Sequence, residues 1–229
     1  MAFTRPVIQV AGIIDRREAE LVAECGATHL GFPLRLPVNR EDLTEGEAAE
    51  VIRSLPASVA AVLITYLATA DETVALCDRL GCRVVQLHGA FSRPELERLR
   101  RLAPGLAVIR SLVTGRHAPE ELAARVRDLA PLVDAFITDS FDPASGAEGA
   151  TGLAHDWEID RRLAECSPLP LIMAGGLGPD NVAAAIRAVR PAGVDAHSRL
   201  EDREGRKDRG KVAAFVRAAR EEFARLALN

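Results

Sequence analysis

The chain has 229 residues, of which 48% are hydrophobic and 27% charged, and its formal net charge is −4. That length suits one substantial domain or two small ones, and the balance of apolar and charged residues excludes a fully disordered chain. Its arginines are interleaved with acids along amphipathic segments, so no nucleic-acid interface is expected.

In chain order, short apolar runs alternate with longer amphipathic ones. VIQV (7–10) precedes a helical stretch at 15–25. THLGF (28–32) precedes 44–54, where Thr44 and the acids after it suit a helix start. AAVLIT ends at Thr65, before a helix at 71–80. VVQL ends at Leu87, before 92–101, where Ser92 and Glu95 have the spacing of a capping box. LAVIR ends at Arg110, before 119–129; DAFITD ends at Asp139, before 156–166. LPLIMA ends at Ala174, before 181–189, and GVDA ends at Ala196, before 210–226.

Eight evenly spaced strand–helix pairs predict a single α/β domain over residues 1–229. Near-continuous apolar strands need cover on both sheet faces, which outer helices supply. An open doubly wound sheet reads similarly, but no G-x-G-x-x-G follows the first strand and no G-x-x-x-x-G-K-[ST] occurs. The expectation is a closed (β/α)8 TIM barrel. The longest nonhelical stretch, 140–155, is rich in Gly and Ala and reads as an active-site loop.

MAFTRPVIQV lacks the features of a signal peptide, and no apolar window is long enough to span a membrane. The four cysteines match neither a zinc knuckle nor a disulfide framework; Cys25, Cys77 and Cys166 fall near helix ends, where small buried thiols are expected. A cytoplasmic protein follows, a monomer or homodimer with no membrane partner, no metal and no cofactor.

In such a barrel, function sits where strands end. Those positions hold Ala11-Gly12, Arg35, Arg40, Thr65-Tyr66, His88-Gly89, Arg110, Asp139, Thr151-Gly152, Gly175-Gly176 and His197-Ser198-Arg199. Several cationic or donor groups, one strand-end carboxylate and two Gly or Ser loops suit a small anionic metabolite. MAGGLGPDN offers N–H groups and a helix start to a phosphate, and DAHSR adds the Ser198 hydroxyl, so a phosphorylated small molecule is the expected partner.

AGI (11–13), GATHLGF (26–32), VVQLHG (84–89), ATGLAHDW (150–157), PLIMAGGLGPDNVAAAI (170–186), VRPAGVD (189–195) and GRKD (205–208) carry a resemblance. Over nearly its whole length the chain resembles the phosphoribosylanthranilate isomerase family of barrel enzymes. The resemblance implies an Amadori rearrangement, in which an aminoaldose phosphate opens and becomes an aminoketose, with a cysteine as base and an aspartate as acid. Asp139 matches the acid, Arg40 the arginine that closes on substrate, Gly175 and Gly176 one part of the phosphate cradle, and Ser198 the other. The cysteine's position is Ala11, and a methyl group transfers no proton. The family's lysine two residues earlier is Gln9, and Ser-Ser-Gly reads His197-Ser198-Arg199.

Arg199 loses glycine's close approach but brings a guanidinium suited to phosphate. His197 is read as either a proton shuttle or a hydrogen-bonding loop residue. His88, Arg35, Arg110 and Tyr66 are candidate substrate contacts; a hydrogen bond to a ligand-contacting neighbour for His88, a solvated loop for Arg35 and plain packing for Tyr66 are their alternatives. His29 reads as a core histidine, and His155 with Asp156 as a helix cap. The expected function is isomerisation of a phosphorylated sugar or aminosugar with Asp139 as acid. Because Ala11 lacks a base, weak or absent turnover of phosphoribosylanthranilate is expected. The alternatives are another isomerase or a lyase on a different phosphorylated metabolite, or a noncatalytic protein that binds one.

Overall fold

The computed structural model describes residue 3 and residues 6–37, 41–115, 117–140 and 157–228. Its strands β1 (Val7–Ala11), β2 (His29–Pro33), β3 (Ala60–Thr65), β4 (Val84–Leu87), β5 (Ala107–Thr114), β6 (Ala135–Ser140), β7 (Leu171–Met173) and β8 (Gly193–Ala196) pair in parallel, in sequence order, and close into a barrel. They alternate with α1 (Arg16–Glu24), α2 (Glu45–Ser54), α3 (Ala70–Leu80), α4 (Arg93–Leu102), α5 (Pro119–Leu129), α6 (Trp157–Cys166), α7 (Val182–Val189) and α8 (Arg209–Ala227). The (β/α)8 expectation holds. Every strand therefore points its C-terminal end, and the loop that follows, to one rim.

Period-two alternation builds two cores. Val62, Ile64, Val84, Ile109, Ile137 and Ile172 fill the barrel, while Leu30, Phe32, Leu63, Val85, Val108, Leu112 and Phe136 face the helices. Fully burying one such side chain contributes roughly 1.5–3 kcal/mol.

Local chemistry sets the helix ends. Thr44 and Glu47 form a complete capping box at α2, and Asp15 accepts from the Glu18 N–H at α1. At α4 only half of the expected box exists. Ser92 accepts from the Glu95 N–H, but the Glu95 carboxylate instead takes the Ala70 N–H at 2.6 Å, joining the starts of α3 and α4. The fifth strand overruns its expected end by four residues, because Ser111–Thr114 pair with Ile137–Ser140. Cys77 and Cys82 are buried, and burial pushes both thiols up to about 12, whereas Cys166 is exposed, contrary to the buried role expected of it.

Candidate active site at the C-terminal rim

The end of β4 and the end of β6 bring His88 and Asp139 together. His88 Nδ1 lies 3.9 Å from Asp139 Oδ2, and the Tyr66 ring stacks on the imidazole with centroids 5.1 Å apart. His88 and Asp139 are buried and Tyr66 half-buried. Burial, aided by the Arg110 charge, drives the His88 pKa down to about 4, so the ring is neutral at pH 7. Burial, with the Asp139 charge, raises the Tyr66 hydroxyl to about 12. His88 and Tyr66 thus reach Asp139 without a formal charge of their own.

Behind His88 a hydrogen-bonded run crosses the barrel. Gln9 Nε2 donates to Gln86 Oε1 at 2.9 Å, and Gln86 Nε2 meets His88 Nε2 at 2.7 Å. An amide donor there leaves Nε2 as acceptor and puts the ring proton on Nδ1, toward Asp139. Next to Gln9 in register is Asp195 on β8, whose carboxyl burial raises to about 6 despite the nearby His197 and Gln9.

On the opposite side of the rim, β1 ends in Ala11 and β8 continues into His197. The His197 ring lies directly on Gly12: a Cβ there would sit 2.0 Å from its Nε2, and Gly12 has φ +76°. Only glycine fits that place. His197 Nε2 is 3.2 Å from Glu201 Oε1, which also receives Lys207 Nζ at 2.6 Å. Burial raises the Glu201 pKa, but the bonds from His197 and Lys207 outweigh it and hold the carboxylate at about 2.

The loops after β7 and β8 meet through Arg199. Its guanidinium donates to the Gly176 carbonyl at 3.0 Å and to both oxygens of Asp180 at 2.9 and 2.8 Å. Asn181 Nδ2 donates to the same carbonyl at 2.9 Å. Gly175 and Gly176 take φ of 91° and 62°. Among the described residues, the backbone N–H groups of Gly175, Gly176, Ser198 and Arg199 meet no protein acceptor. Such donors suit an anion.

Two expected ligand contacts are placed elsewhere. Arg110 shares the face of Val108 and Leu112, toward the helices, and donates to the Leu87 and Gly89 carbonyls at 2.7 and 2.6 Å. It braces the end of β4 rather than entering the barrel. Arg35 is exposed and bound through Nε to Glu45 at 2.7 Å, the solvated-loop alternative. His29 is buried, with burial lowering its pKa to about 4. Arg40, Thr151, Gly152, His155, Asp156 and most of the 140–155 loop lie outside the described residues.

Glu201, Lys207 and Gln86 were not among the sequence-derived candidates. Gln86 lay inside the VVQLHG motif and Lys207 inside GRKD, so the motifs held the signal; Glu201 had none.

The model of the family described as N-(5'-phosphoribosyl)anthranilate isomerase matches residues 8–218. The chain belongs to that family. It is 38% identical over 218 residues to N-(5'-phosphoribosyl)anthranilate isomerase 2 of Methanosarcina mazei, covering 94% of this chain and 95% of the relative. It is 35% identical over 214 residues to the Haloferax volcanii isomerase, covering 93% and 92%. The solved phosphoribosyl anthranilate isomerase of Thermococcus kodakaraensis superposes with a TM-score of 0.76 at 27% identity, over 94% of this chain and 99% of that one. Among the described residues no group of three His, Cys, Asp or Glu is placed to hold a metal ion, and no helix is long and apolar enough to cross a membrane.

Proposed function

We propose that this isomerase-family chain, acting as one barrel domain, converts a phosphorylated aminoaldose of the phosphoribosylanthranilate type to its aminoketose. One observation carries the reading: the β6 carboxyl and the N–H groups after β7 and β8 that lack protein acceptors open on the same rim. The phosphate is bound by the N–H groups of Gly175, Gly176 and Ser198, with Arg199 holding the two loops together. Asp139 protonates the ring oxygen, so the sugar opens to an iminium and its C2–H becomes acidic. A base across the pocket then removes that proton. Arg40 is assigned to the substrate by its match to the family's arginine, Tyr66 and His88 wall the acid, and His197 is the remaining proton carrier.

The test measures kcat/KM on phosphoribosylanthranilate for the natural chain and for Asp139→Asn. Turnover that falls about 10²–10⁴-fold in the variant supports the reading. Ala11 favours a second reading, in which the chain handles or only binds a different phosphorylated metabolite. Tight binding of phosphorylated sugars without turnover, unchanged in Asp139→Asn, would establish that one instead.

A further inference from the structure

We propose that the general base in this chain has moved one strand sideways, from β1 to β8: His197 takes the substrate proton on Nδ1, and Glu201, fastened by Lys207, is the residue that positions it. This deepens the isomerase reading and rests on it for the substrate.

The register supplies the first support. β1 and β8 pair from Val7 with Gly193 to Val10 with Ala196. One step further, the position opposite Ala11 is His197. Neighbouring strands lie about 4.8 Å apart, so a side chain there reaches the space a residue at position 11 would serve. The contact with Gly12 confirms the proximity, since the ring rests on the backbone immediately after Ala11.

The clamp supplies the second. Lys207 has a fully buried side chain and gives its ammonium to Glu201, while its backbone N–H donates to Glu18 Oε1 at 2.8 Å. The other Glu18 oxygen accepts the Ile14 N–H at 3.1 Å. The imidazole and the Gly12 turn are thereby tied to one segment through Glu18, Lys207 and Glu201. An anionic Glu201 at Nε2 requires Nε2 to carry the proton, which leaves the Nδ1 lone pair as the acceptor. Among the described residues Nδ1 takes part in no hydrogen bond, the buried Asp195 carboxyl two residues back on β8 is near enough to interact with the ring's charge, and a third of the side chain (33%) is exposed.

The step balances. The C2–H pair forms the C1=C2 bond as the iminium π pair withdraws to nitrogen, and the proton goes to Nδ1. The imidazolium then returns it to C1 while the C2 hydroxyl becomes the carbonyl and releases its proton, replacing the one Asp139 gave.

Two measurements test the assignment. Turnover of phosphoribosylanthranilate should fall about 10²–10⁴-fold in His197→Ala and recover at least about tenfold on addition of free imidazole. Glu201→Gln should lower kcat while KM stays within about threefold. A residue that only pins the loop gives no imidazole rescue, and that result overturns the proposal. The second measurement needs no substrate. Nitrogen-15 spectra of the natural chain should show the His197 ring protonated at Nε2 when neutral, with that preference weakened in Glu201→Gln. The opposite tautomer, or one indifferent to Glu201→Gln, also overturns it. If the natural chain fails to turn over phosphoribosylanthranilate, the substrate assignment fails alone and the tautomer still decides the dyad.

Discussion

The two sides of the barrel mouth solve the same problem, holding polar groups near a reacting centre, by opposite means. Around Asp139 the neighbours are neutral: desolvation drives His88 down to about 4, and Tyr66, uncharged at pH 7 in any case, is pushed further from ionising, up to about 12. Around His197 the charges are kept and paired, as Glu201 with Lys207 and Arg199 with Asp180. The first side is fixed by burial and a hydrogen-bonded run of amides, which salt does not screen; the second rests partly on exposed ion pairs, which salt does. Asp139, the proposed acid, sits in the neutral half, and His197 and Arg199 sit in the charged half.

The largest effect should come from breaking the charged half at its buried member. Lys207→Met removes the ammonium and leaves the Glu201 carboxylate without its cation; since Glu201 keeps 20% of its side-chain exposure, the cost should fall toward the lower end of roughly 3–5 kcal/mol. Urea unfolding measures it. A loss below about 0.5 kcal/mol would show that the cluster behaves as an ordinary surface pair.

Acid should act next, on the buried histidines, of which His88 belongs to the neutral half. His88 and His29 both fold with pKa values near 4, below the ordinary 6.5, so the unfolded chain binds their protons first. Their contribution is full above pH 6.5 and is lost as the pH falls toward 4. Asp195 acts in the opposite sense: its folded value near 6 lies above the ordinary 3.8, so its contribution is gained between pH 6 and 4. Two histidines against one carboxyl leave a net loss of roughly 3 kcal/mol from pH 7 to 4. His88→Asn should flatten that slope, and a slope unchanged in the variant would remove His88 from the account.

The smallest effect belongs to the loop pair. Arg199→Ala loses an exposed bidentate contact with Asp180, worth about 0–1 kcal/mol of stability. It should weaken inorganic phosphate binding by only a few-fold, because the guanidinium is spent on Gly176 and Asp180. A hundredfold loss, read by calorimetry, would mean that Arg199 turns to face the anion.

Much of this was legible in sequence. Strand alternation, the Thr44 cap and the Gly-Gly after β7 are local signals, and each appears in the structure where expected. Arg110 shows what alternation without register misses: with β5 ended there, its guanidinium pointed at the mouth. Pairing of Ser111–Thr114 with β6 carries the strand past it, and parity turns the side chain toward the helices. Arg199 looked like a free cation because nothing in HSR reveals that Asp180, 19 residues earlier, waits across the loop.

Period, length and residue type alone call for eight parallel strands that close on one another, with the strand C-terminal ends as the expected place for chemistry. That a methyl group stands where the family has its base comes from the resemblance alone. Tertiary structure alone decided that Glu18, Lys207 and Glu201 converge behind His197, and that Gln9 reaches Gln86 across the barrel. Closure of the sheet sets β8 against β1 and thereby joins residues from the two ends of the chain. Once they are buried together, the partners each side chain finds, rather than its ordinary affinity for a proton, set whether it carries a charge.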